Sequence, residues 1–600
     1  MKRISSLFVC LAILLTALMG SVTTVSATDG GMKAGTYETV IKGHNGDIAI
    51  SVTVDDSSIQ DVSITAHQET PGIGDNAINS VAAQVKDGQT LNVDMVSGAT
   101  ITSATVLAGI TQCLKDAGAD VDALRAAPKA YETPVYETEK TADVVIVGGG
   151  GAGLAAAVSA VQNGASVIIL EKSGAVGGNT LVCGGVYNAP DPALQEPAGI
   201  VDSPEFFATQ TWEGGDMVGN KDLVDVLCFN AFDGLEWLKS LDVEFMDTIG
   251  QAAGALHPRT HDTVLPMGSG IIFGYINFLE GKAETLLDTT ATHIIKNEEG
   301  RVVAVQATNP DGTELLVNAN NGVVLSTGGF GGNVELRTKY NTSGKWNDLG
   351  PSVMTTNRAT ITGDGIEMAE EVGANLIDME QIQLLHLGHP KTGHMTRYMP
   401  RNLSGTDQVI FVNQEGERFV REDGRRDVIC NAVLAQTNGM MYIIESADGN
   451  FIPLDVATTA DGIPASEAEA NGDIFVGQTL EELANKIGCD PAALQATVDA
   501  FNASVDTGAD DYERILFTTK LENGPFVATP RVPAVHHTMG GVEIDTVCRV
   551  IGEDGNIMPG FYAAGEITGG IHGANRLGGN AVVDTVVFGK LAGESAAKAQ

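Results

Sequence analysis

The sequence predicts an α/β fold of the Rossmann type, in which a parallel sheet binds a dinucleotide, preceded by a small α+β domain. Residues 28–120 alternate apolar and polar positions and then turn helical. Residues 143–171 show a strand–helix–strand pattern with GxGxxG spacing, and glycine-rich turns recur later in the chain. With 600 residues, 43% of them hydrophobic, the chain can build several domains with sizeable cores.

Charge and cysteine usage exclude several classes of partner and site. Lys and Arg number 35 and Asp and Glu number 76, so the formal net charge is −41. This charge repels polyanions, and nucleic acid or an anionic membrane is not an expected partner. The cysteines form no CxxC pair and no CxxCH motif. We therefore expect no metal site, no iron–sulfur cluster and no covalent haem.

Residues 1–27 predict a secretion signal peptide. Lys2 and Arg3 precede the apolar run LFVCLAILLTALMG, and VSA at 25–27 supplies the small residues that a signal peptidase requires. No later stretch approaches the roughly 18–20 apolar residues that span a bilayer. We expect the mature chain to start near Thr28 and to be exported, either to the periplasm or to the extracellular side, where it would associate with the cell surface.

The first mature segment, residues 28–120, predicts the small α+β domain. Strand-like runs such as DIAISVTVDD precede the helix-like run ATVLAGITQCLKDAGAD. Between them lies DMVSGAT, whose small and polar residues suit a turn and the N-terminal cap of a helix. A linker is predicted over 121–140, where prolines and charges occur without an apolar period.

The segment TADVVIVGGGGAGLAAAVSAVQNGASVIILEKS is the strongest local signal for a bound nucleotide. Its first strand runs into Gly148, Gly150 and Gly153, and Glu171 ends its second strand. Glycines let the backbone approach a pyrophosphate, and the N-terminus of the following helix attracts that anion. A carboxylate after the second strand accepts ribose hydroxyl groups. The sequence therefore predicts a dinucleotide site here.

Four further glycine-rich turns carry a family resemblance. They are GAVGGNT at 174–180, VVLSTGGFGGN at 323–333, TGDGIEMAEEVGA at 362–374 and GFYAAGEITGGIHGANRLGGNA at 560–581. Together with HHTMGGVEID they resemble the flavoprotein subunits of the fumarate reductase and succinate dehydrogenase family. The resemblance is strongest to the exported branch that includes flavocytochrome fumarate reductases and urocanate reductase, and it covers residues 141–600.

The resemblance implies the domain order and the FAD-binding residues. A Rossmann-like α/β FAD-binding domain, formed by residues 141–379 and 536–600, is interrupted by an α+β capping (clamp) domain over 380–535. In this family the capping domain is mobile and closes over the substrate at the flavin ring. The residues implied to bind non-covalent FAD are Gly148, Gly150, Gly153, Glu171, Lys172, Gly178, Asn179, Asp364, Glu566 and Arg576.

Together with this resemblance, the DMVSGAT motif has a more specific interpretation than a turn and a helix cap. It resembles the flavinylation motif of small FMN-binding domains, in which a flavin transferase links the FMN phosphate to the last threonine, here Thr100. A phosphoester keeps FMN attached outside the cell, and FMN then takes the place of haem in passing electrons to FAD. The resemblance therefore implies covalent FMN, a flavin transferase and a membrane-associated electron donor.

The resemblance also implies reduction of the C=C bond of a small α,β-unsaturated carboxylate, as in anaerobic respiration. His536 and Arg576 are the implied carboxylate ligands, and Arg426 is the implied proton donor to the product of hydride transfer from FAD N5. Charge-assisted and bidentate hydrogen bonds suit the first two roles. A flavin electron-transfer protein without this chemistry is the non-enzymatic alternative, and it has no reason to retain all three residues.

Proton supply to Arg426 departs from the family pattern. Arginine normally stays protonated, and the family reprotonates it through a glutamate and a second arginine. These two positions fall here near Asn402 and Gly405. The sequence leaves four charged replacements open, namely Arg401, Asp423, Arg425 and Asp427.

A second departure concerns the substrate. The histidine that grips a second carboxylate in fumarate reductases aligns with Leu385. A carboxylate buried against leucine is unfavourable, so we expect a monocarboxylic 2-enoate of the acrylate or cinnamate type. Fumarate and urocanate are the alternatives. A dicarboxylate such as fumarate fits if a one-residue shift brings in one of His386, His389 and His394, or if Arg401 pairs with the second carboxylate.

One further segment has two interpretations. GALHPRTHDTVLPMG, residues 254–268, is expected to approach the substrate cavity from the FAD-binding domain. Its His257, Arg259 and His261 then form either a polar wall of that cavity or an ordinary surface loop.

Overall fold

The structure, a computed structural model, covers most of the chain beyond the predicted signal peptide. The described residues are 31–43, 46–67, 69, 74–96, 99–129, 135–395, 408–449, 451–458, 463–517 and 519–599. The signal peptide predicted over 1–27 lies outside them, and so do Arg401, Asn402 and Gly405. Across the described ranges no helix combines the length and the apolar character needed to cross a membrane.

The N-terminal domain is a three-stranded antiparallel sheet covered by helices. Its elements are β1 (Gly35–Lys42), β2 (Asp47–Val54), β3 (Ile59–Ala66), α1 (Gly74–Gly88), α2 (Thr100–Asp116) and α3 (Val121–Ala126). The central strand β2 pairs with both neighbours. Its alternate residues Ile48, Ile50, Val52 and Val54 are buried in a core shared with α1 and α2. The α+β fold predicted for this part of the chain is confirmed.

Helix α3 falls inside the segment predicted as a linker over 121–140. Asp120 caps it by accepting a hydrogen bond from Ala123 N–H at 3.0 Å. The carbonyl of Leu124 accepts from Leu91 N–H at 3.0 Å, which ties the helix to the N-terminal domain. The sequence pattern missed it because so short a helix depends on its cap and on tertiary contacts rather than on apolar periodicity.

The larger part of the chain begins with a long run of strands and helices. In chain order they are β4 (Glu139–Val147), α4 (Gly151–Gln162), β5 (Val167–Leu170), α5 (Gly178–Val182), β6 (Val186–Asn188), α6 (Pro192–Gln195), α7 (Pro204–Gly214), α8 (Lys221–Phe229), α9 (Ala231–Lys239), β7 (Thr260–Asp262), α10 (Ser269–Leu279), β8 (Glu284–Leu286), β9 (Thr290–Lys296), β10 (Val302–Thr308), β11 (Glu314–Leu325), α11 (Val334–Lys339), β12 (Met354–Thr355), α12 (Asp364–Glu371) and β13 (Leu376–Ile377).

The remaining elements form the predicted capping segment and the return of the chain. The capping segment holds β14 (Ile382–Gly388), β15 (Ile410–Val412), α13 (Arg426–Leu434), β16 (Met441–Glu445), α14 (Ala465–Asn471), β17 (Phe475–Gly477), α15 (Leu480–Ile487), α16 (Pro491–Thr507) and β18 (Phe526–Thr538). The return holds β19 (Gly541–Val542), β20 (Arg549–Ile551), β21 (Ile557–Ala563) and α17 (Asn580–Ala597).

An eight-stranded sheet forms the core of the larger domain. Its main path is β20–β21–β11–β4–β5–β8, with β10 and β9 added beyond β11. The strands from β21 to β8 run parallel, so their C-terminal ends meet along one edge. Helix α17 packs closely on α4, because a Cβ at Gly593 would lie only 2.1 Å from the Ala156 carbonyl oxygen. Segments on both sides of the capping elements therefore build one Rossmann-like domain, as predicted.

The capping segment folds around a second sheet, in the order β12–β18–β16–β15, with β14 and β17 also paired to β18. The long strand β18 pairs with β16 over its first half and with β12 near its end. It thus runs from the capping segment into the larger domain, and it delivers His536 to the junction between the two. The α+β capping domain predicted from the family resemblance is confirmed in its architecture.

Candidate active site

A cleft at the C-terminal ends of β4, β5 and β11 contains most of the predicted FAD-binding residues. Eight of the ten line it, namely Gly148, Gly150, Glu171, Lys172, Gly178, Asn179, Asp364 and Glu566. Gly153 lies in α4 beneath the cleft, and Arg576 lines the two neighbouring cavities. The strand ends of a parallel sheet are where this fold class binds its ligands.

The glycines of the first turn leave room for a pyrophosphate. Gly148 has φ +100°, and a Cβ there would lie 2.6 Å from the Ser326 carbonyl oxygen. A Cβ at Gly153 would lie 1.9 Å from the Gly148 carbonyl oxygen, so α4 can approach the strand only without one. A Cβ at Gly150, the residue before α4, would meet nothing within 4 Å. The open space at this helix N-terminus fits a phosphate group of FAD.

The charged residues of the cleft are held in place by short hydrogen bonds. The Glu171 carboxylate accepts from Gly149 N–H at 2.9 Å and from Ser173 N–H at 2.8 Å. Lys172 Nζ donates to Asp364 Oδ2 at 2.5 Å and to the Thr362 hydroxyl at 2.8 Å. The carboxylate at the end of β5 therefore has a defined orientation for ribose hydroxyl groups.

The sequence analysis did not predict two further residues, one that lines the cleft and one that supports a cleft residue. The Thr327 hydroxyl is buried at the cleft and has no hydrogen-bond partner among the described residues, which is typical of a group that serves a ligand. Asn357 accepts from Asn179 Nδ2 at 2.7 Å and so orients a predicted FAD residue. The sequence signal for Thr327 was its position in the glycine-rich turn STGGFGGN.

Glu566 lies between the dinucleotide cleft and the next cavity. Its carboxylate accepts from Thr538 N–H at 3.0 Å, and burial raises its pKa to about 7. His537 Nδ1 lies 3.7 Å from the same carboxylate. A buried hydrogen-bonding group at this junction fits the polar ribityl chain of FAD, as the family resemblance implied.

Arg426, His536 and Arg576, which are distant in sequence, meet in one cavity beside the dinucleotide cleft. His536 Nδ1 lies 2.7 Å from the Thr356 hydroxyl, and Arg576 Nη1 donates to the Leu577 carbonyl at 3.0 Å. The described residues that line this cavity include no Asp or Glu. Such a cavity favours an anionic ligand, because none of the described lining residues supplies a carboxylate to pair with its two guanidinium groups.

The electrostatics of these groups favour the binding of an anion. Burial lowers the pKa of Arg576 to about 10, and its buried Nε has no partner in the described part of the chain. Burial, together with the charges of Arg576 and Arg426, holds the pKa of His536 well below its usual range. A bound carboxylate would stabilise the charged forms of all three side chains.

Arg426 is the first residue of α13, and its guanidinium is anchored on one side. Its Nε donates to the Ala253 carbonyl at 2.9 Å, and its Nη1 contacts Gln383 Oε1 at 3.4 Å. Burial lowers the pKa of Arg426 well below its usual value, and the neighbouring Arg576 adds to this effect. Both effects make Arg426 a stronger acid than an exposed arginine. Gln383, which also donates to the Arg576 carbonyl at 2.9 Å, was not predicted.

The same cavity also has an apolar wall. It consists of Leu385, Leu387, Met395, Val409, Phe411 and Ile443. Leu385 and Leu387 belong to β14, where alternate side chains face opposite sides. The structure therefore places Leu385 on the cavity, as the direct alignment indicated.

The three nearby histidines occupy other places in the described structure. His386 is not among the residues that line the cavity. It is fully buried with its ring 5.3 Å from that of Phe411, and burial lowers its pKa to about 3. His389 Nε2 bonds to Asp473 at 3.0 Å, and His394 is exposed. The alternation of the strand thus argues against the one-residue shift that would bring His386 to the cavity.

The charged residues considered for proton supply have other partners. Asp423 accepts from Arg421 and from the backbone of residues 515–516, and Arg425 pairs with Asp216 and Asp427. Within the described ranges no hydrogen bond joins Asp423, Arg425 or Asp427 to the Arg426 guanidinium. Arg401, the fourth candidate, lies outside the described residues.

The segment 254–268 packs within the FAD-binding domain and does not form a polar wall of the substrate cavity. Arg259 is fully buried, forms two hydrogen bonds of 2.8 and 2.9 Å with Asp202, and lies 4.5 Å above the Phe207 ring. His261 Nε2 contacts the Ala189 carbonyl at 3.2 Å. The contribution of this region to the cavity comes instead from the small residues at 252–253, just before it.

Arg259→Leu should lower the melting temperature by about 5–10 °C, because it leaves Asp202 buried without its cation, at a cost of about 3–5 kcal/mol. Thermal unfolding followed by calorimetry checks this. Arg549→Leu is the matched control, since Arg549 also forms a two-bond pair, with Asp545, but is about half exposed. The control should change stability by less than about 1 kcal/mol. Equal effects of the two substitutions would contradict the assignment.

Helix α2 begins at Thr100, the last residue of DMVSGAT. The preceding Ala99 provides no side-chain cap, so Thr100 is the first helical residue rather than the cap that the sequence pattern favoured. The carbonyl of Ala99 accepts from the Ser103 hydroxyl at 3.0 Å. A phosphate on the first residue of a helix lies near free backbone N–H groups, which suits an FMN phosphoester.

Comparison with known proteins matches two parts of the chain to two domain families. Residues 143–582 match the FAD binding domain family, and residues 43–115 match the FMN-binding domain family. Urocanate reductase from Eggerthella lenta is 35% identical over 98% of this chain and 96% of its own length. The chain belongs to the FAD-binding fumarate and urocanate reductase family. Its cofactors are FAD and FMN.

Other members of this family are similar over less of their length. NADH:acrylate oxidoreductase from Vibrio harveyi is 38% identical over 94% of this chain, which spans 61% of that relative. A flavocytochrome c3 fumarate reductase, solved in an open conformation, superposes with a TM-score of 0.59 at 31% identity, covering 76% of this chain and 78% of that one. The family shares the FAD-binding fold, and its members are named for different unsaturated acids.

Proposed function

We propose that this family member reduces the C=C bond of an α,β-unsaturated monocarboxylate. The observation that carries the proposal is the cavity that combines Arg426, His536 and Arg576 with an apolar wall. The cationic side matches one carboxylate, and the apolar side matches the remainder of an acrylate-like or cinnamate-like acid. The names of the relatives from Vibrio harveyi and Eggerthella lenta support this class of substrate.

The roles of the side chains follow from their contacts. His536, oriented by Thr356, and Arg576 bind the substrate carboxylate by charge-assisted hydrogen bonds. Arg426 is anchored through Nε to the Ala253 carbonyl and through Nη1 to Gln383, so its Nη2 is left to face the substrate. Arg426 delivers the proton to the carbon next to the carboxylate. FAD, when bound, supplies the hydride that reduces the other carbon of the double bond.

The second cofactor and the location of the protein are part of the same proposal. A flavin transferase attaches FMN to Thr100, and a membrane-associated donor supplies electrons, for example in anaerobic respiration. The residues that support export are Lys2, Arg3, the apolar run after them and VSA at 25–27. A mass spectrum of the native protein that starts near Thr28 would support export, and an intact Met1 would contradict it.

We expect acrylate, methacrylate and cinnamate to have kcat/KM values at least about tenfold above that of fumarate, because the second carboxylate of fumarate would lie against Leu385 and Leu387. The measurement is reoxidation of the dithionite-reduced protein, followed by absorbance. Urocanate is the second candidate, because the urocanate reductase relative aligns along nearly its whole length. A clear preference for fumarate would contradict the monocarboxylate assignment. No reoxidation by any of these acids would favour a flavin electron-transfer protein.

Leu385→Ala should affect a substrate that reaches the apolar wall more than one that does not. It removes apolar surface from that wall, so kcat/KM for cinnamate should fall about tenfold while that for acrylate changes less than about threefold. Leu384→Ala is the matched control, since Leu384 is equally buried in β14 but does not line the cavity. Equal losses for both acids would place Leu385 outside the specificity wall.

A further inference from the structure

A chain of four charged side chains crosses the boundary between the capping domain and the FAD-binding domain, next to Arg426. On the capping side, Arg425 Nη1 and Nη2 donate to Asp216 Oδ1 and Oδ2 of the FAD-binding domain at 2.6 and 2.9 Å. Arg425 also bonds to Asp427 at 2.9 Å. Asp427 Oδ2 in turn lies 3.2 Å from Lys345 Nζ, again in the FAD-binding domain. Ion pairs therefore cross this boundary twice.

The FAD-binding end of this chain is tied to the segment that carries Arg576. Lys345 Nζ donates to the Ala574 carbonyl at 2.5 Å. The turn at 214–216, which contains Asp216, accepts from Ala574 N–H at 2.9 Å and from Asn575 Nδ2 at 3.1 Å. Lys345 and the turn that contains Asp216 are thus both hydrogen-bonded to residues 574–575, which immediately precede Arg576.

The capping end of the chain is the start of α13. Arg425 directly precedes Arg426, and the two side chains point to different partners, Asp216 and the Ala253 carbonyl. A displacement of the α13 N-terminus from the FAD-binding domain would break both contacts. The network therefore links the segments of the implied proton donor and of the implied carboxylate ligand, which come from different domains.

We propose that Asp216, Arg425, Asp427 and Lys345 form an interdomain clasp that closes the capping domain and sets the position of Arg426 relative to Arg576. They are positioning residues, because none of them lines the cavity among the described residues. The role of the clasp in positioning Arg426 rests on the proposed function. Its role in closing the two domains does not.

The charges and exposure of the clasp agree with a reversible contact. Two acids alternate with two bases, and their side chains are between 11% and 44% exposed. The hydrogen bonds from Arg425 lower the pKa of Asp216, so this carboxylate is ionised at neutral pH. Ion pairs with this exposure are weakened by salt. The clasp can therefore hold the domains together and still release them.

Asp216→Asn in the full-length protein with both flavins is the decisive variant. Asp216 has φ +59°, a conformation that asparagine also tolerates, so the substitution removes the charge without backbone strain. We expect kcat for the best enoate to fall about tenfold with the FAD content unchanged. Asp216→Glu, which restores the charge, should recover part of the loss. Asp225→Asn is the control, since Asp225 pairs with Lys221 within α8 at similar exposure.

Amide hydrogen exchange, measured by mass spectrometry without substrate, reports directly on the closure of the capping domain on the FAD-binding domain. Asp216→Asn should exchange faster than the wild type in the peptides that cover 425–429 and 574–577, and Asp225→Asn should not. Raising NaCl to about 0.5 M should have the same effect on the wild type, because the Debye length then falls well below 10 Å.

The outcomes separate the clasp from the proposed function. Unchanged exchange in Asp216→Asn would overturn the clasp, whatever the substrate is. Faster exchange with kcat within twofold of the wild type would overturn its positioning role. If no enoate reoxidises the wild-type protein, the proposed function fails, and faster exchange in Asp216→Asn alone would still support an interdomain clasp.

Discussion

Arg426→Ala lowers kcat for the enoate by about 10²–10⁴-fold, while FAD and substrate remain bound. A positioned proton donor acts in the transition state, so its loss reduces kcat far more than it raises KM. The structure supports a loss of kcat without a loss of FAD, because Arg426 contacts the Ala253 carbonyl and Gln383 rather than the residues of the dinucleotide cleft. Turnover with reduced viologen as donor gives kcat and KM, and the flavin absorbance change on titration gives the substrate Kd.

His536→Ala and Arg576→Ala are the comparison for this prediction. Both side chains hold the carboxylate in the ground state as well as in the transition state, so each variant should raise Kd together with lowering kcat. Arg426→Lys keeps a positive charge but cannot keep both the anchor and the donor contact, and it should not restore turnover. Near-normal kcat in Arg426→Ala would remove Arg426 from the proton-donor role.

Thr100→Ala abolishes the covalent FMN adduct and leaves FAD in place. The adduct needs the hydroxyl at the first residue of α2, whereas the cleft that would hold FAD lies in another domain. Mass spectrometry of protein co-expressed with a flavin transferase should show one FMN adduct in the wild type and none in the variant. Enoate reduction driven by a donor that requires FMN should stop, and reduction driven directly by dithionite should continue.

The control for this prediction is another threonine on the same helix. Thr105 lies five positions further along α2 and is partly exposed, so Thr105→Ala tests the loss of a nearby hydroxyl without touching the motif. It should carry a full FMN adduct. An adduct that persists in Thr100→Ala would contradict the assignment of the modified residue.

The FAD cleft could be predicted closely because its signal is local. Gly148, Gly150, Gly153 and Glu171 lie within one strand–helix–strand unit. The backbone geometry of that unit requires Gly148 and Gly153, whereas Gly150 and Glu171 line the cleft. The short helix α3 and the start of α2 were predicted less well. Helix ends depend on caps and tertiary contacts that a pattern of apolar residues does not contain.

Resemblance to a family, rather than spacing, led to the catalytic residues. Arg426, His536 and Arg576 come from three distant stretches, and no sequence window contains more than one of them. Their supporting groups, Gln383 and the Ala253 carbonyl, went unpredicted because ordinary polar and backbone atoms gain a role only from what lies beside them.

By itself the sequence determined an α/β dinucleotide-binding domain, an α+β domain before it and the chemistry of the first glycine turn, because these follow from short-range periodicity and steric rules. The tertiary structure alone decided which face of β14 meets the cavity. Neighbouring side chains on a strand point in opposite directions, so only the packing of β14 distinguishes Leu385 from His386. It alone also brought Asp216 and Lys345 to Arg425 and Asp427, because contacts between distant segments depend on how the chain packs in three dimensions.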